Sequence, residues 1–117
     1  MDERSLQKLQ GVDSKLIEVV KLANSICPIV FRVTEGVRTI ERQRELVKAK
    51  LSKTMNSKHL QGRAVDIVAI VNGAASWDMK VYKQIAVYMK QAAKQLNVEI
   101  ECGADWGWDG PHIELKG

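Results

Sequence analysis

No apolar run in this chain approaches the roughly 20 residues that a bilayer-spanning helix needs, so a soluble protein is expected. Cysteine is scarce: Cys27 and Cys102 are the only two, neither lies in a Cys-x-x-Cys pair, and they cannot build a disulfide framework. Two thiols in a reduced compartment is the plain reading, and a single bridge between them is the alternative. Eight Gly and two Pro exclude collagen-like or low-complexity sequence. Internal repeats and Ser/Pro-rich linkers are absent, and 117 residues leave room for one domain, 1–117, but not for separate catalytic and binding modules. The polar start Met1-Asp2-Glu3-Arg4 has no apolar segment behind it, which argues against a cleavable secretory signal.

What is present is an ordinary globular composition, 45% hydrophobic and 27% charged, with a formal charge of +4. The excess is uneven. Residues 1–60 hold 12 basic and 7 acidic groups, and residues 61–117 hold 6 and 7. Such a bias suits an anionic partner (nucleic acid, a membrane surface or an acidic wall polymer) or is simply a solvated surface. The cationic residues form no run and are not interleaved with aromatics, so nucleic-acid binding has little support.

Hydrophobic spacing places a helix over 13–26, with Asp13 as N-cap and Leu16, Val19, Val20, Ala23 and Ile26 on its apolar face. A strand follows over 29–34, then a helix from Thr39 to about Leu51, and a polar loop over 52–58. The run 64–71 reads as a buried strand ended by Asn72-Gly73. A long helix extends from Ser76 or Asp78 to about Leu96, with Val81, Ile85, Tyr88, Met89 and Ala92 on one stripe. Strands are expected over 98–102 and 112–115, joined by a loop. That last connection favours an α+β class with a small antiparallel sheet and helices packed on it.

Only two histidines occur, His59 and His112, each with acidic residues a few positions away. Zinc takes imidazole nitrogen and carboxylate oxygen, and a catalytic zinc keeps three protein ligands and an open position. His59, Asp66 and His112 supply such a set. Asp66 interrupts the apolar run Ala64-Val65-Asp66-Ile67-Val68, where a bare carboxylate is costly to bury and a metal would compensate it. Strand alternation turns Asp66 to the face opposite Val65 and Ile67, and turns His112 and Glu114 opposite Ile113 and Leu115. Gly62 permits the turn that brings His59 back towards Asp66. Asp109, three residues before His112 across Gly110-Pro111, is either a proton acceptor beside the metal or a turn residue bonded to its own backbone. Glu114 either orients a ligand or faces solvent, the latter being favoured. Arg38 either pairs with a substrate carboxylate in fork geometry or is solvated. Trp106 and Trp108 either wall a cleft or serve in packing.

Ser57-x-His59-x-x-Gly62-x-Ala64-x-Asp66, together with Asp109-x-x-His112 and Gly36-Val37-Arg38-Thr39, resembles the zinc D-alanyl-D-alanine carboxypeptidase and L-alanyl-D-glutamate endopeptidase family. Order, spacing and residue type agree across residues 36–114. Within the family the chain looks most like single-domain phage endolysins, because Asp109 stands where carboxypeptidase members usually carry Glu. The resemblance implies a D-Ala-D-Ala peptidase/hedgehog-like fold, with Zn2+ held by His59, Asp66 and His112. It implies Asp109 as general base and Arg38 as the group that polarises the scissile carbonyl or holds substrate. Ser57 and Gln43 are implied as substrate or supporting contacts. The implied substrate is the peptidoglycan stem peptide, cut by a monomer between L-alanine and D-glutamate, without nucleic acid or stable membrane insertion. Synthesis in a host cytoplasm and passage to the wall through a lesion made by a holin-type partner are implied as well. The rival readings are a D-alanyl-D-alanine carboxypeptidase, a non-catalytic zinc module and a basic nucleic-acid binder.

Overall fold

A computed structural model describes residues 1–50 and 58–117. The elements in chain order are α1 (Glu3–Lys8), α2 (Ser14–Ile26), β1 (Val30–Glu35), α3 (Ile40–Lys48), β2 (Ala64–Val71), β3 (Ala74–Ser76), α4 (Met79–Gln95), β4 (Ile100–Cys102), α5 (Gly103–Trp106) and β5 (His112–Leu115). The strands form one antiparallel sheet in the order β1-β2-β5-β4, with β3 hairpinned onto β2. The α+β expectation holds.

Side-chain oxygens cap the four longer helices. Asp2, Asp13, Thr39 and Asp78 each accept a backbone N–H in the first turn, which satisfies a donor that the helix itself leaves unpaired. α2 and α4 pack on each other and on one face of the sheet. Leu16, Val19, Val20 and Ala23 meet Ile85, Met89 and Ala92 there, above Phe31, Val33, Val65, Ile67, Ala69, Ile113 and Leu115. The stripe of α4 is rotated from the expected one: Tyr82, Ala86 and Ala93 are buried, whereas Val81 and Tyr88 are only half-buried. Tyr82 decides this, because its hydroxyl donates to the Ser76 carbonyl at 2.7 Å and accepts from the Ala69 N–H at 3.2 Å.

Three short elements lie outside the sequence expectations. α1 is anchored by the buried Ser5 hydroxyl, which accepts the Val33 N–H at 2.9 Å. β3 follows the Asn72-Gly73 turn, where both residues have positive φ. α5 occupies the segment expected to be a loop and is tied to α4 by the Lys90–Asp105 ion pair at 3.0 Å. Both cysteines are free thiols. Cys102 is buried, and burial first, then the charge of Asp105, push its thiol up to about 12, so it is a packing residue.

The opposite face of the sheet carries the polar groups. On β2 the alternation puts Asp66 and Val68 on that face, and on β5 it puts His112 and Glu114 there. Asp66 sits directly opposite His112 in the β2–β5 register. On its other flank a bulge in β1 between Val33 and Glu35 brings Glu35, rather than Thr34, opposite Asp66.

Candidate metal centre

Asp66 is the hub. Its Oδ1 lies 3.4 Å from His59 Nε2 and 3.3 Å from His112 Nδ1, and its Oδ2 lies 3.7 Å from the Arg38 guanidinium. His59 reaches this position from the turn before β2. There Gly62 adopts φ +68, a left-handed conformation that a side chain strains, and accepts the Asp13 N–H through its carbonyl. The imidazole rings of His59 and His112 meet edge to face with centroids 5.2 Å apart.

The nitrogen turned away from Asp66 is engaged in each ring. His59 Nδ1–H donates to the Gly36 carbonyl at 3.0 Å, and His112 Nε2–H donates to Glu114 Oε1 at 2.8 Å. Both partners can only accept, so they hold a proton on the outer nitrogens and turn His59 Nε2 and His112 Nδ1 towards Asp66, to donate to it when protonated and to offer a lone pair when neutral. Glu114 is held in turn by Lys58 at 2.7 Å, and Lys58 also donates to the Leu115 carbonyl. The favoured expectation of a solvent-facing Glu114 is therefore corrected: the strand turns it into the polar face beside His112, where two partners bury it.

These contacts set the electrostatics. Burial pushes the Asp66 carboxyl up, but hydrogen bonds from His112 and His59 and their charge outweigh it and hold Asp66 well below the usual carboxylate range. Burial lowers the proton affinity of His112, but Asp66 and Glu114 overcome that and raise it. Glu114 is raised by burial and lowered further by Lys58 and His112, ending below its ordinary value. Asp109 behaves in the opposite way. Burial dominates and raises it, against the pull of His112, although His59 and Arg38 also lie within electrostatic reach.

The donor set fits a divalent zinc. Four donors arranged tetrahedrally at roughly 2.0–2.1 Å from zinc stand about 3.3 Å from one another. The two imidazole–carboxylate separations, 3.4 and 3.3 Å, match that spacing, and one donor atom from each of the three residues lies within 4.8 Å of the others.

The sequence matches the phage L-alanyl-D-glutamate peptidases over residues 1–116. The chain belongs to this family. It is similar to the L-alanyl-D-glutamate peptidase of Escherichia phage T5, with 29% identity over 97% of this chain and 87% of that one. It is also similar to the L-alanyl-D-glutamate peptidase of Listeria phage A118, with 33% identity over 72% of this chain and 30% of that one. The crystal structure of Serratia marcescens L-Ala D-Glu endopeptidase ChiX superposes with a TM-score of 0.93 at 42% identity, covering 99% of this chain and 89% of that one. The vancomycin-resistance D,D-pentapeptidase VanY, in complex with Zn(II), shares the fold at a TM-score of 0.58 and 20% identity, over 91% of this chain and 73% of that one. Family membership makes the chain a peptidase.

Within this peptidase the remaining expected residues are placed unequally. The Arg38 side chain is 9% exposed, and it donates to both Glu35 oxygens at 2.7 and 3.0 Å and to Gln43 Oε1 at 2.7 Å. It is thus a held cation facing Asp66, not a solvated loop residue. Gln43 is 0% exposed and accepts from Arg38, which suits the supporting contact among the two expectations for it. Ser57 lies outside the described residues. Trp106 and Trp108 are 36% and 73% exposed, and Trp106 lies between the rings of His112 and Trp108. Glu35 and Lys58 escaped the sequence reading. The three-residue spacing of Glu35 and Arg38 was a usable signal, whereas nothing local links Lys58 to Glu114, 56 positions on.

Proposed function

We propose that this chain is a zinc-dependent endopeptidase that hydrolyses the L-alanyl-D-glutamate bond of the peptidoglycan stem peptide, in the manner of a phage endolysin. One observation carries the reading: His59 Nε2, Asp66 Oδ1 and His112 Nδ1 converge at zinc-like spacing while the other nitrogen of each imidazole is held by an acceptor. His59, Asp66 and His112 would hold the ion. When bound, zinc supplies a Lewis acid that activates water for attack on an amide.

The chain's own groups do the rest. Asp109 is half-buried beside the cluster, and its raised proton affinity suits a base that takes a proton from the attacking water and returns it to the departing amine nitrogen. The C–N bond breaks as the new C–O bond forms, and the proton leaves Asp109 with the amine. Arg38, fixed by Glu35 and Gln43, keeps Asp66 in the orientation that presents Oδ1 to both imidazoles. It also places positive charge where negative charge develops on the scissile carbonyl. The phage sources of the relatives support action at the cell wall; synthesis in a host cytoplasm and passage to the wall through a lesion made by a holin-type partner belong to the same proposal. Among the described residues no helix is long and apolar enough to cross a membrane.

Digestion of purified sacculi followed by mass spectrometry of the released muropeptides tests the reading. New amino-terminal glutamate and glycan strands ending in a lone alanine are expected. Release of terminal D-alanine instead would assign the chain to carboxypeptidases, and no release from zinc-loaded protein would overturn it as an enzyme of the wall.

A further inference from the structure

Trp106 and Trp108 take no part in the chemistry above, yet they are placed against it. The Trp106 ring lies 5.4 Å from that of His112, and the Trp108 ring lies 5.5 Å from Trp106. Large aromatic rings are ordinarily buried for the surface they remove from water. Here Trp108 keeps 73% of its surface exposed, although its neighbour Asp109 is half-buried. The pair forms a ledge that starts at a proposed metal ligand, with successive ring separations of 5.4 and 5.5 Å that put Trp108 at most about 11 Å from the His112 ring.

The sheet gives the ledge a direction. Asp66 is central on β2, and His112 on β5 flanks it on the ledge side. Glu35 on β1 flanks it on the other, where a cleft of about 620 Å³ is lined by Lys8, Arg38 and Arg42 as well as Glu35. A bond between alanine and glutamate is equally asymmetric. Its glutamate side carries extra carboxylate and suits Lys8 and Arg42 in that cleft, where Arg38 is already paired with Glu35. Its alanine side is the first residue of a stem peptide joined through a lactyl group to the muramic sugar. One alanine plus one lactyl unit spans roughly 7 Å, which falls within the reach of the ledge.

Resting on the peptidase reading, we propose that Trp106 and Trp108 form a carbohydrate subsite that stacks against the N-acetylmuramyl ring carrying the scissile stem peptide. The enzyme then selects stem peptides still attached to glycan over free peptides. Pyranose C–H groups present an apolar, weakly positive face that an indole ring complements.

Two measurements test this separately from the peptidase reading. The first compares kcat/KM for a muropeptide bearing the N-acetylglucosaminyl-N-acetylmuramyl disaccharide with that for the same peptide without sugar. Wild type is expected to favour the sugar-bearing substrate, mainly through KM. Trp108→Ala should reduce that ratio by about tenfold, Trp108→Phe should keep part of it, and Trp77→Phe, on an exposed ring that stacks on Tyr82 and not on the pair, should not alter it. A wild-type ratio near one, or a ratio unmoved by Trp108→Ala, overturns the proposal. The second follows the three indole N–H signals of the metal-free protein by NMR during titration with the free disaccharide. Movement of the Trp106 and Trp108 signals with Trp77 still supports the subsite even if neither substrate is cleaved, in which case the peptidase reading falls alone. Three unmoved signals overturn the subsite.

Discussion

Asp109 and His59 occupy one small site yet make opposite demands when changed. Asp109→Asn removes a proton acceptor but none of the three donors that converge at zinc spacing. It should bind zinc as wild type does and lose turnover on sacculi by roughly 10²–10⁴-fold, the usual worth of a positioned acid–base group. His59→Ala removes a donor and should emerge from purification without stoichiometric zinc, as elemental analysis reads. A zinc-replete His59→Ala would contradict the assignment of that ring. Glu114→Gln keeps the shape but weakens the acceptor on His112 Nε2, and a drop of roughly 10–100-fold in zinc affinity is expected in competition with a chromogenic chelator. The cluster of His59, Asp66 and His112 was legible in the sequence because a carboxylate inside an apolar strand demands a partner and only two imidazoles exist. Glu114's task was not legible, since alternation gives the face a residue joins but not what Lys58 and His112 do there.

The sheet is where local pattern and tertiary outcome agree best. Alternation in 64–71 and 112–115 fixed which residues turn to the helices, and this alone brought Asp66 and His112 to the same face. The bulge at Val33–Glu35 left no trace in composition, because it depends on how β1 pairs with β2 rather than on β1 itself. The rotation of α4 was missed for a related reason. Periodicity ranks Val81 and Tyr88 as apolar, but the Tyr82 hydroxyl bridges two backbone groups 7 positions apart and draws its own ring inward. Tyr82→Phe would leave the Ala69 N–H without its acceptor in the buried sheet. A loss of about 1–3 kcal/mol is expected in urea unfolding, and an unchanged midpoint would show that Ala69 finds another acceptor.

For the molecule as a whole, the polar cluster that would hold zinc also makes metal-free stability depend on pH. Asp66 and Glu114 are held below their ordinary values of 3.8 and 4.5, so their contribution is full above those values and is lost as pH falls through the depressed ones. His112 is held above 6.5, so its contribution is full below 6.5 and is lost as pH rises through the raised value. Asp109, raised by burial, also gives up stability as it ionises on the way up. The metal-free protein is therefore expected to melt highest in a window between the carboxylate range and the imidazole's raised value, and to soften on both sides. Bound zinc would reverse the alkaline limb. It needs the His112 lone pair that the proton occupies, so its affinity rises as that proton is lost, and stabilisation by a ligand grows with its affinity. The gap in Tm between zinc-loaded and metal-free protein should accordingly be small near pH 5 and widen steadily towards pH 8. Thermal melts across that range, with metal content measured at each pH, check it. A gap that stayed constant would mean that the ion does not compete with protons for His112, and the ligand set would have to be redrawn.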